Sequence, residues 1–411
     1  YRRYALPFRG PVRTAHGVMT ERSGIIVRFE ENDTGRVGFG EVAPLPEFGT
    51  ETVDEAEAAV RALGERVTAE QLAACLDGQM GPASRAAGSE TPGCVQFALA
   101  GARAEIFDQA DEKRASGATE QPPRVGDGIP RLSAMVPSLP VAALLPAGRP
   151  ALERIKRLGE AGFCTFKWKV GVAPVGEELP LLDDLCAELA PGARLRLDAN
   201  GAWDRRAAER WLERCAERPV EFVEQPCLLP LGGTARDPAR SARMEDLLRG
   251  LAEDFPTKLA LDESLAGADD LERWLAAGWR GIFVIKPALL GEPGRMLARL
   301  HAAQADVVFS SALETAVGAR AALRAAFAWS AGGEETEVRS RESLVRSQEP
   351  GVPMTAKLKI QIPAAIPRRA LGFGVWPLFA DARFDGPWTA PFISARDVEN
   401  LNPEAVWNAL S

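Results

Sequence analysis

The sequence predicts an α/β protein, a modified TIM barrel of the (β/α)7β type with an N-terminal α+β capping domain. Short apolar runs recur from residue 131 onward, and the stretches between them are amphipathic at helical spacing. Strands that alternate with helices indicate a parallel sheet of βαβ units. Eight such runs in about 250 residues match the size of a TIM barrel. A doubly wound open sheet is the alternative, but it would need a Gly-rich phosphate turn after its first strand.

Residues 1–130 are predicted to form the capping domain. The runs "YALPF", "GIIVRFE" and "GRVGFGEVA" are expected as strands, with "ENDTG" as the hairpin turn between the last two. Thr52 and Glu55 match a capping box that begins a helix. A second helix is expected over "CVQFALAGARAEIFDQA". The polar stretch "DEKRASGATEQPPRVGDG" is predicted to be a linker, because it is rich in Gly and Pro.

The barrel is predicted over residues 131–380. Its expected strands are "RLSAMVPS", "CTFKWKV", "RLRLDAN", "EFVEQP", "LALDES", "IFVIKP", "DVVFSS" and, over residues 371–376, "LGFGVW". Residues 331–370 are charged and contain prolines, so we interpret them as a surface insertion in which "TAKLKIQIP" could add a short strand. The tail, residues 381–411, is expected to end in a helix that packs back on the capping domain.

Composition and charge argue against several classes of protein. The net charge of −8 over 411 residues gives no basic footprint for nucleic acid. No apolar run approaches the roughly 20 residues that cross a bilayer, and the first residues lack the pattern of a signal peptide. Six scattered cysteines without a C-x-x-C pair predict a reduced, cytoplasmic protein. Because the chain has only two histidines, a His-based zinc site and a Ser-His-Asp triad are not expected.

Charged residues occupy the carboxyl ends of the predicted barrel strands, where apolar residues would be expected. They are Lys167, Lys169, Asp198, Glu224, Asp262 and Lys286. The carboxyl ends of parallel barrel strands converge on one rim, where active sites lie. Three buried carboxylates would repel one another unless a cation neutralised them. An oxygen-only donor set predicts Mg²⁺, with Mn²⁺ tolerated; salt bridges between the lysines and the carboxylates are the structural alternative.

This set of side chains suits the abstraction of a proton next to a carboxylate. A lysine base must be neutral near pH 7, although the pKa of a free lysine is about 10.4. Lys167 and Lys169 stand two residues apart in a strand, so they project to the same face. We therefore predict that the Lys167 ammonium, together with the metal, lowers the pKa of Lys169.

The motifs at these positions resemble those of the enolase superfamily, in its muconate-lactonizing subgroup. They are "KWK", "LRLDANGAW", "VEQP", "LDESL", "VIKP" and "SSALET", with "GFGEVAPLPEFGTET" in the capping domain. Within the subgroup the sequence is most similar to the o-succinylbenzoate synthases of menaquinone or phylloquinone biosynthesis. The glycines of "LGFGVWPLFAD" agree with that family, because other subgroup members usually have an Asp-x-Asp pair there.

The resemblance implies a metal-assisted hydro-lyase that acts on a small carboxylate substrate. Its metal ligands would be the three strand-end carboxylates, Asp198, Glu224 and Asp262. Lys169 would be the base, Lys286 would lie on the opposite face of the substrate, and Lys167 would tune Lys169. N-succinylamino acid racemase, dipeptide epimerase and muconate cycloisomerase are alternatives on the same site. A non-catalytic barrel that serves as a binding or scaffold protein is a further alternative, and a homo-oligomer is compatible with the sequence.

Further candidates surround this predicted centre. Those beside ligands, which could orient them, are Asn200, Gln225 and Glu263. Those expected to bind substrate are Arg196, Ser310, Ser311, Gly372 and Gly374. Arg196 could meet either a substrate carboxylate or Glu224, and Glu263 could instead form an outer ion pair. Phe48 could pack against the substrate, and the loop over residues 13–24, which contains His16, could close as a lid.

Overall fold

The computed structural model describes residues 1–14, 17–79, 90–115, 138–228, 238–346 and 369–410. In these residues an antiparallel sheet of three strands precedes a curled parallel sheet of seven strands. Each helix in this part of the chain is too short or too polar to cross a membrane. The predicted α/β class, with an α+β portion in front of a barrel, is confirmed.

The N-terminal sheet is built from β1 (Arg2–Thr14), β2 (Gly17–Glu30) and β3 (Val37–Val42) in that order. All three predicted strands are present, and the first two are longer than predicted. The prediction of a loop over residues 13–24 is wrong where the chain is described, because residues 13–14 and 17–24 lie in β1 and β2; its closing as a lid stays a prediction. Arg22 helps to fix this segment, since its buried guanidinium donates to the carbonyl oxygens of Pro44 (2.6 Å) and Ala43 (2.5 Å). His16 lies outside the described residues.

Three helices follow this sheet: α1 (Val53–Ala62), α2 (Ala69–Leu76) and α3 (Gly93–Ala115). The capping box predicted for α1 is confirmed, because Thr52 N donates to Glu55 Oε2 at 2.7 Å and Glu55 N donates to Thr52 Oγ1 at 3.2 Å. α3 runs close to β3 because Gly40 has no side chain. A Cβ at that position would lie 1.8 Å from the carbonyl oxygen of Ala98.

Nine strands are described in the larger part, and those from β5 to β11 follow one another at the spacing of βαβ units. Their bounds are β4 (Ser138–Pro140), β5 (Ala143–Leu145), β6 (Thr165–Lys169), β7 (Arg194–Asp198), β8 (Val220–Glu224), β9 (Leu259–Leu261), β10 (Ile282–Ile285), β11 (Asp306–Phe309) and β12 (Phe392–Ser394). The parallel sheet has the order β11-β10-β9-β8-β7-β6-β5 among the described residues. Six of the predicted barrel strands, from "CTFKWKV" to "DVVFSS", therefore contribute β6 to β11.

The first predicted barrel strand, "RLSAMVPS", is misplaced. Its residues 131–137 lie outside the described part of the chain, and Ser138 begins β4, which pairs antiparallel with β12 instead of joining the barrel. Pro140 has no N–H to donate inside a sheet, so it suits this short edge pair. The barrel strand is β5, in which Ala143 pairs with Phe166 of β6.

Two parallel bridges close the curled sheet. Val141 pairs with Leu371, and Ser310 pairs with Gly372. The predicted eighth strand is thus present only as these bridges, and glycine is required for the close approach. A Cβ on Gly372 would lie 2.6 Å from Ser310 Oγ, and one on Gly374 would lie 2.4 Å from a main-chain carbonyl oxygen.

Helices alternate with the parallel strands as predicted. Their bounds are α4 (Pro150–Glu160), α5 (Val175–Ala187), α6 (Arg205–Cys215), α7 (Pro238–Asp254), α8 (Ala268–Ala276), α9 (Pro293–Ala302), α10 (Ala316–Arg346), α11 (Ala395–Glu399) and α12 (Pro403–Ala409). Residues 331–346, interpreted above as part of an insertion, continue α10, because their Glu and Arg residues are good helix formers. The rest of that segment up to residue 368, including "TAKLKIQIP", lies outside the described residues.

The tail contacts the N-terminal sheet through α12. The guanidinium of Arg2 lies 4.1 Å from the ring centroid of Trp407, and the Trp407 ring lies 6.1 Å from that of Phe39. The division of the chain near residue 130 stays a prediction, because it falls outside the described residues.

Candidate active site

The inner face of the curled sheet changes from apolar to charged along the strands. Phe222, Ala260, Ile282, Val284 and Val308 form a buried apolar cluster. Alternate residues of a strand project to the same face. The side chains two residues beyond this cluster on β8, β9 and β10 are therefore those of Glu224, Asp262 and Lys286, at the carboxyl rim.

Lysines and carboxylates from five neighbouring strands meet at this rim. Lys167 Nζ donates to Glu224 Oε1 at 2.7 Å and lies 2.8 Å from Asp198 Oδ2. Lys286 Nζ forms an ion pair with Asp262 Oδ1. Lys169 is half-buried at the end of β6, where it stands opposite Asp198 in the strand register. The structure thus brings together the strand-end charges that the sequence predicted.

Burial and the neighbouring charges shift the pKa values of this cluster. Burial raises the pKa of Glu224 well above its ordinary value, and Asp198 and Asp262 add to the rise. Burial would also raise the pKa of Asp262, but Lys286 and Lys167 outweigh it and lower that pKa. Burial would lower the pKa of Lys167, but the three carboxylates outweigh it and raise that pKa. Lys167 is therefore a fixed ammonium, as its predicted role requires.

The donor chemistry of the cluster fits a hard divalent cation. Asp198, Glu224 and Asp262 are each less than a tenth exposed, and all three offer oxygen. Asp198 and Glu224 pair with Lys167, and Asp262 pairs with Lys286. As the side chains stand, they are engaged with the lysines. No group of three or more Asp, Glu, His or Cys side chains among the described residues is arranged to hold an ion.

Asn200 and Glu263 support one side of this cluster. Asn200 has a φ of 43°, a left-handed conformation that asparagine adopts more readily than most residues. Its main-chain N donates to Asp198 Oδ1 at 3.1 Å, and its Nδ2 donates to Glu263 Oε1 at 2.9 Å. Burial raises the pKa of Glu263 to about 8, and the nearby Asp262 and Asp198 carboxylates add to the rise. Glu263 therefore contacts Asn200, which lies two residues after the predicted ligand Asp198. In the chain, Glu263 directly follows the predicted ligand Asp262.

Gln225 supports the other side. It is fully buried, and its φ of 37° turns its side chain from the end of β8 toward the end of β9. Gln225 Oε1 accepts from the main-chain N of Asp262 and of Ser264, each at 3.1 Å. Its Nε2 donates to Cys227 O and to Ser264 Oγ, each at 2.9 Å. Gln225 thus fixes the main chain that carries Asp262.

Arg196 has a different partner from those predicted. Its Nε donates to Glu221 Oε2 at 2.7 Å, and its Nη1 donates to Ala370 O at 2.7 Å. The register between β7 and β8 shifts at Glu221, and such a bulge re-aims the side chain that it contains. The expectation that Arg196 meets Glu224 is therefore corrected to a buried ion pair with Glu221, and a contact of Arg196 with a substrate carboxylate stays a prediction.

Ser310 and Ser311 follow β11 and make different contacts. Ser310 Oγ donates to Gly372 O at 3.2 Å, where the barrel closes. Ser311 Oγ donates to Glu314 Oε2 and accepts from Leu313 N, both at 2.9 Å, so its hydroxyl is engaged in its own turn. A role for Ser310, Gly372 or Gly374 in binding substrate stays a prediction.

One contact at the rim was not predicted in this form. Phe48, from the loop after β3, lies over Lys286, with Nζ 4.4 Å from the ring centroid. The sequence suggested that Phe48 packs against substrate, but it gave no signal that would pair this ring with a lysine more than 200 residues away.

Comparisons with known proteins show the family of this chain. Residues 1–106 match the family described as MenC, N-terminal domain, and residues 151–376 match the family described as Enolase C-terminal domain-like. An o-succinylbenzoate synthase from Thermosynechococcus vestitus is 37% identical over 336 residues, which cover 80% of this chain and 88% of that protein. One from Pectobacterium atrosepticum is 28% identical over 326 residues, covering 77% and 82%.

Solved structures give the same result. The o-succinylbenzoate synthase from Thermosynechococcus elongatus BP-1, complexed with Mg in the active site, has a TM-score of 0.66 and 31% identity, covering 99% of this chain and 98% of that one. The L-Ala-D/L-Glu epimerase from Bacillus subtilis, with a TM-score of 0.60 and 19% identity over 79% and 85%, is similar in fold alone. The resemblance found in the sequence is confirmed. The chain belongs to the o-succinylbenzoate synthase family of hydro-lyases in the enolase superfamily.

Proposed function

We propose that the strand-end cluster catalyses the syn dehydration of 2-succinyl-6-hydroxy-2,4-cyclohexadiene-1-carboxylate to 2-succinylbenzoate. The ligands of a Mg²⁺ cofactor would be Asp198, Glu224 and Asp262, and Mn²⁺ is the alternative ion. The observation that carries the proposal is the meeting of these carboxylates with Lys167 and Lys286 in one set of ion pairs at the carboxyl rim. The Mg-complexed synthase that the chain resembles supports the choice of ion.

In the proposed mechanism, Lys169 takes the proton from the ring carbon that bears the carboxylate. The electrons of that C–H bond move into the substrate carboxylate, which becomes an enediolate, and they return to form the new ring double bond when the C–O bond of the neighbouring hydroxyl breaks. The Lys169 ammonium then gives its proton to the departing oxygen on the same face, and water leaves. Lys167 stays protonated and so disfavours a second positive charge on Lys169. Lys286 supplies positive charge from β10, and bound Mg²⁺ would supply the charge that stabilises the enediolate form of the substrate.

Racemisation of N-succinylamino acids, epimerisation of dipeptides and muconate cycloisomerisation are alternative reactions at this cluster. Racemisation requires two lysines that both exchange protons with the substrate. Lys286 forms an ion pair with Asp262 and is covered by Phe48, which favours an electrostatic role for it. This arrangement supports dehydration, for which one proton-transferring lysine is enough.

The test supplies the purified full chain with the cyclohexadiene substrate and Mg²⁺ and follows the aromatic product by its ultraviolet absorbance. We expect Lys169→Ala to abolish turnover while Mg²⁺ binding, measured by calorimetry, is retained. The matched control is Lys156→Ala, because Lys156 is an exposed lysine that pairs with Glu188 away from the rim. A folded wild-type chain without turnover in saturating Mg²⁺ would refute the proposal and favour a non-catalytic barrel.

A second assay separates dehydration from racemisation. Both enantiomers of an N-succinylamino acid are incubated with the enzyme in D₂O, and exchange of the α-proton is followed by NMR. Exchange of both at rates that rival dehydration would favour a racemase. A cytoplasmic location and a homo-oligomeric assembly remain predictions made from the sequence.

A further inference from the structure

The loop that carries Phe48 is closed by its own hydrogen bonds. Phe48 N donates to Leu45 O at 2.8 Å. Thr50 Oγ1 accepts from Leu45 N at 2.8 Å and donates to Glu51 O at 3.1 Å. The loop therefore has a defined shape from Leu45 to Glu51, and the position of its far end helps to set where the Phe48 ring lies.

Glu51 joins the end of this loop to the first turn of α3. Its Oε1 accepts from Cys94 N at 3.0 Å. The first N–H groups of a helix have no partner inside the helix, and a carboxylate there also interacts favourably with the helix dipole. Burial raises the pKa of Glu51, and its hydrogen bonds, including those to Cys94 and Val95, oppose the rise. The contact is thus a partly buried bridge between two segments of the N-terminal part.

The first turn of α3 lies against the chain that follows Lys286. A Cβ on Gly93 would lie 2.9 Å from Leu289 O, and one on Gly291 would lie 3.2 Å from Gln96 Oε1. Leu289 N in turn donates to Lys286 O at 3.0 Å. α3 is therefore in direct contact with the segment that directly follows Lys286.

We propose that Glu51 is a positioning residue for this active site: by joining the Phe48 loop to α3, it holds the Phe48 ring over the Lys286 ammonium. Glu51 contacts α3, and α3 contacts the segment that follows Lys286. The Phe48 ring and the Lys286 ammonium are therefore both positioned by contacts with α3. Lys286 also pairs with Asp262. A displaced ring would consequently change where the ammonium rests.

The first test does not depend on enzymatic activity. The lysines of the full chain are reductively methylated with ¹³C, and the Lys286 resonance is assigned by its loss in Lys286→Arg. The ring current of Phe48 should shift this resonance upfield, and Phe48→Leu should abolish the shift. We expect Glu51→Ala to remove most of the shift and Glu51→Gln to retain it, because the glutamine oxygen can still accept from Cys94 N.

The matched control is Glu55→Ala. Glu55 lies four residues further on, and its carboxylate also accepts a main-chain N–H at a helix N-terminus, in the capping box of α1. This substitution should destabilise the same part of the chain, but it should leave the Lys286 resonance unchanged. An upfield shift that survives in Glu51→Ala, or that disappears equally in Glu55→Ala, would overturn the proposal.

A second test uses dehydration and rests on the proposed function. Glu51→Ala should lower kcat about tenfold, the order expected for loss of a partly desolvated cation–π contact, with little change in KM. Adding Glu51→Ala to Phe48→Leu should lower kcat no further, because both changes act through the same ring. Fully additive losses would contradict the proposal. An inactive wild-type chain would refute the proposed function alone, since the resonance of Lys286 would still report on Glu51.

Discussion

Replacing Gln225 by leucine should strongly destabilise the protein, because this side chain makes four hydrogen bonds in a fully buried position. Leucine has a similar size but cannot hydrogen-bond. The substitution leaves the main-chain N–H groups of Asp262 and Ser264 without an acceptor, and each such buried group costs about 1–3 kcal/mol. We therefore expect a loss of about 4 kcal/mol in the free energy of unfolding, out of the roughly 5–15 kcal/mol typical of a domain.

The measurement is urea unfolding of the metal-free protein, followed by circular dichroism. Gln304→Leu is the matched control, because Gln304 also has a positive φ (51°) but is exposed. The control accounts for any strain of leucine in a left-handed conformation and should change the free energy of unfolding by less than about 0.5 kcal/mol. If Gln225→Leu costs less than about 1 kcal/mol beyond the control, Gln225 does not hold the end of β9. If it does hold that strand end, the variant should also bind Mg²⁺ more weakly in calorimetry.

Three further predictions test other parts of the fold by urea unfolding. Burial raises the pKa of Glu314 to about 7 from an ordinary 4.5. The free energy of unfolding should therefore fall by up to about 3 kcal/mol as the pH rises from 4.5 to about 7. The variant Glu314→Gln should not show this fall. Gly40→Ala should cost at least about 3 kcal/mol, because its Cβ would collide with a carbonyl oxygen of α3, whereas Gly10→Ala, with open space around it, should cost little. Arg196→Met should cost about 2–3 kcal/mol at neutral pH by removing one partner of buried Glu221. Arg196 helps to lower the pKa of Glu221, so this cost should shrink at acidic pH as Glu221 takes up a proton. A wild-type stability that does not change with pH would contradict the argument on Glu314. Equal losses of unfolding free energy in both glycine variants would contradict the argument on Gly40, and a cost of Arg196→Met that does not depend on pH would contradict the argument on Arg196.

The strand-end cluster could be predicted because two simple regularities fix it. Side chains alternate along a strand, and parallel strands end on the same rim of a barrel. Lys167, Glu224 and Asp262 each break an apolar run at its last positions, so their meeting follows from the sequence once the strands are recognised. The capping box of α1 was found for a similar reason, since Thr52 and Glu55 interact over four residues. Thr68 and Gln71 form the same kind of capping box in α2, and this one was not predicted.

The features that were missed depend on contacts or irregularities without a local signal. The bulge at Glu221 inserts one residue into the register, and nothing in "EFVEQP" distinguishes a bulged strand from a regular one. The contact of Phe48 with Lys286 joins distant segments through the docking of α3. The first barrel strand was misplaced because "RLSAMVPS" and the following "VAALL" are both short apolar runs, and only pairing with β6 selects the second one.

The ion pairs at the rim do not exclude metal binding, although salt bridges were the structural alternative to a metal site. Each carboxylate has two oxygens, and Lys167 contacts one oxygen of Asp198 and one of Glu224. Without the ammonium groups, three buried carboxylates would lie close together at a place where burial already raises the pKa of Glu224 and where Asp198 and Asp262 add to the rise. The lysines therefore lower the electrostatic cost of bringing three acidic strand ends together during folding, before any cation is present. The same fixed charge on Lys167 then favours a neutral Lys169, so one side chain would serve both the stability of the barrel rim and its proposed chemistry.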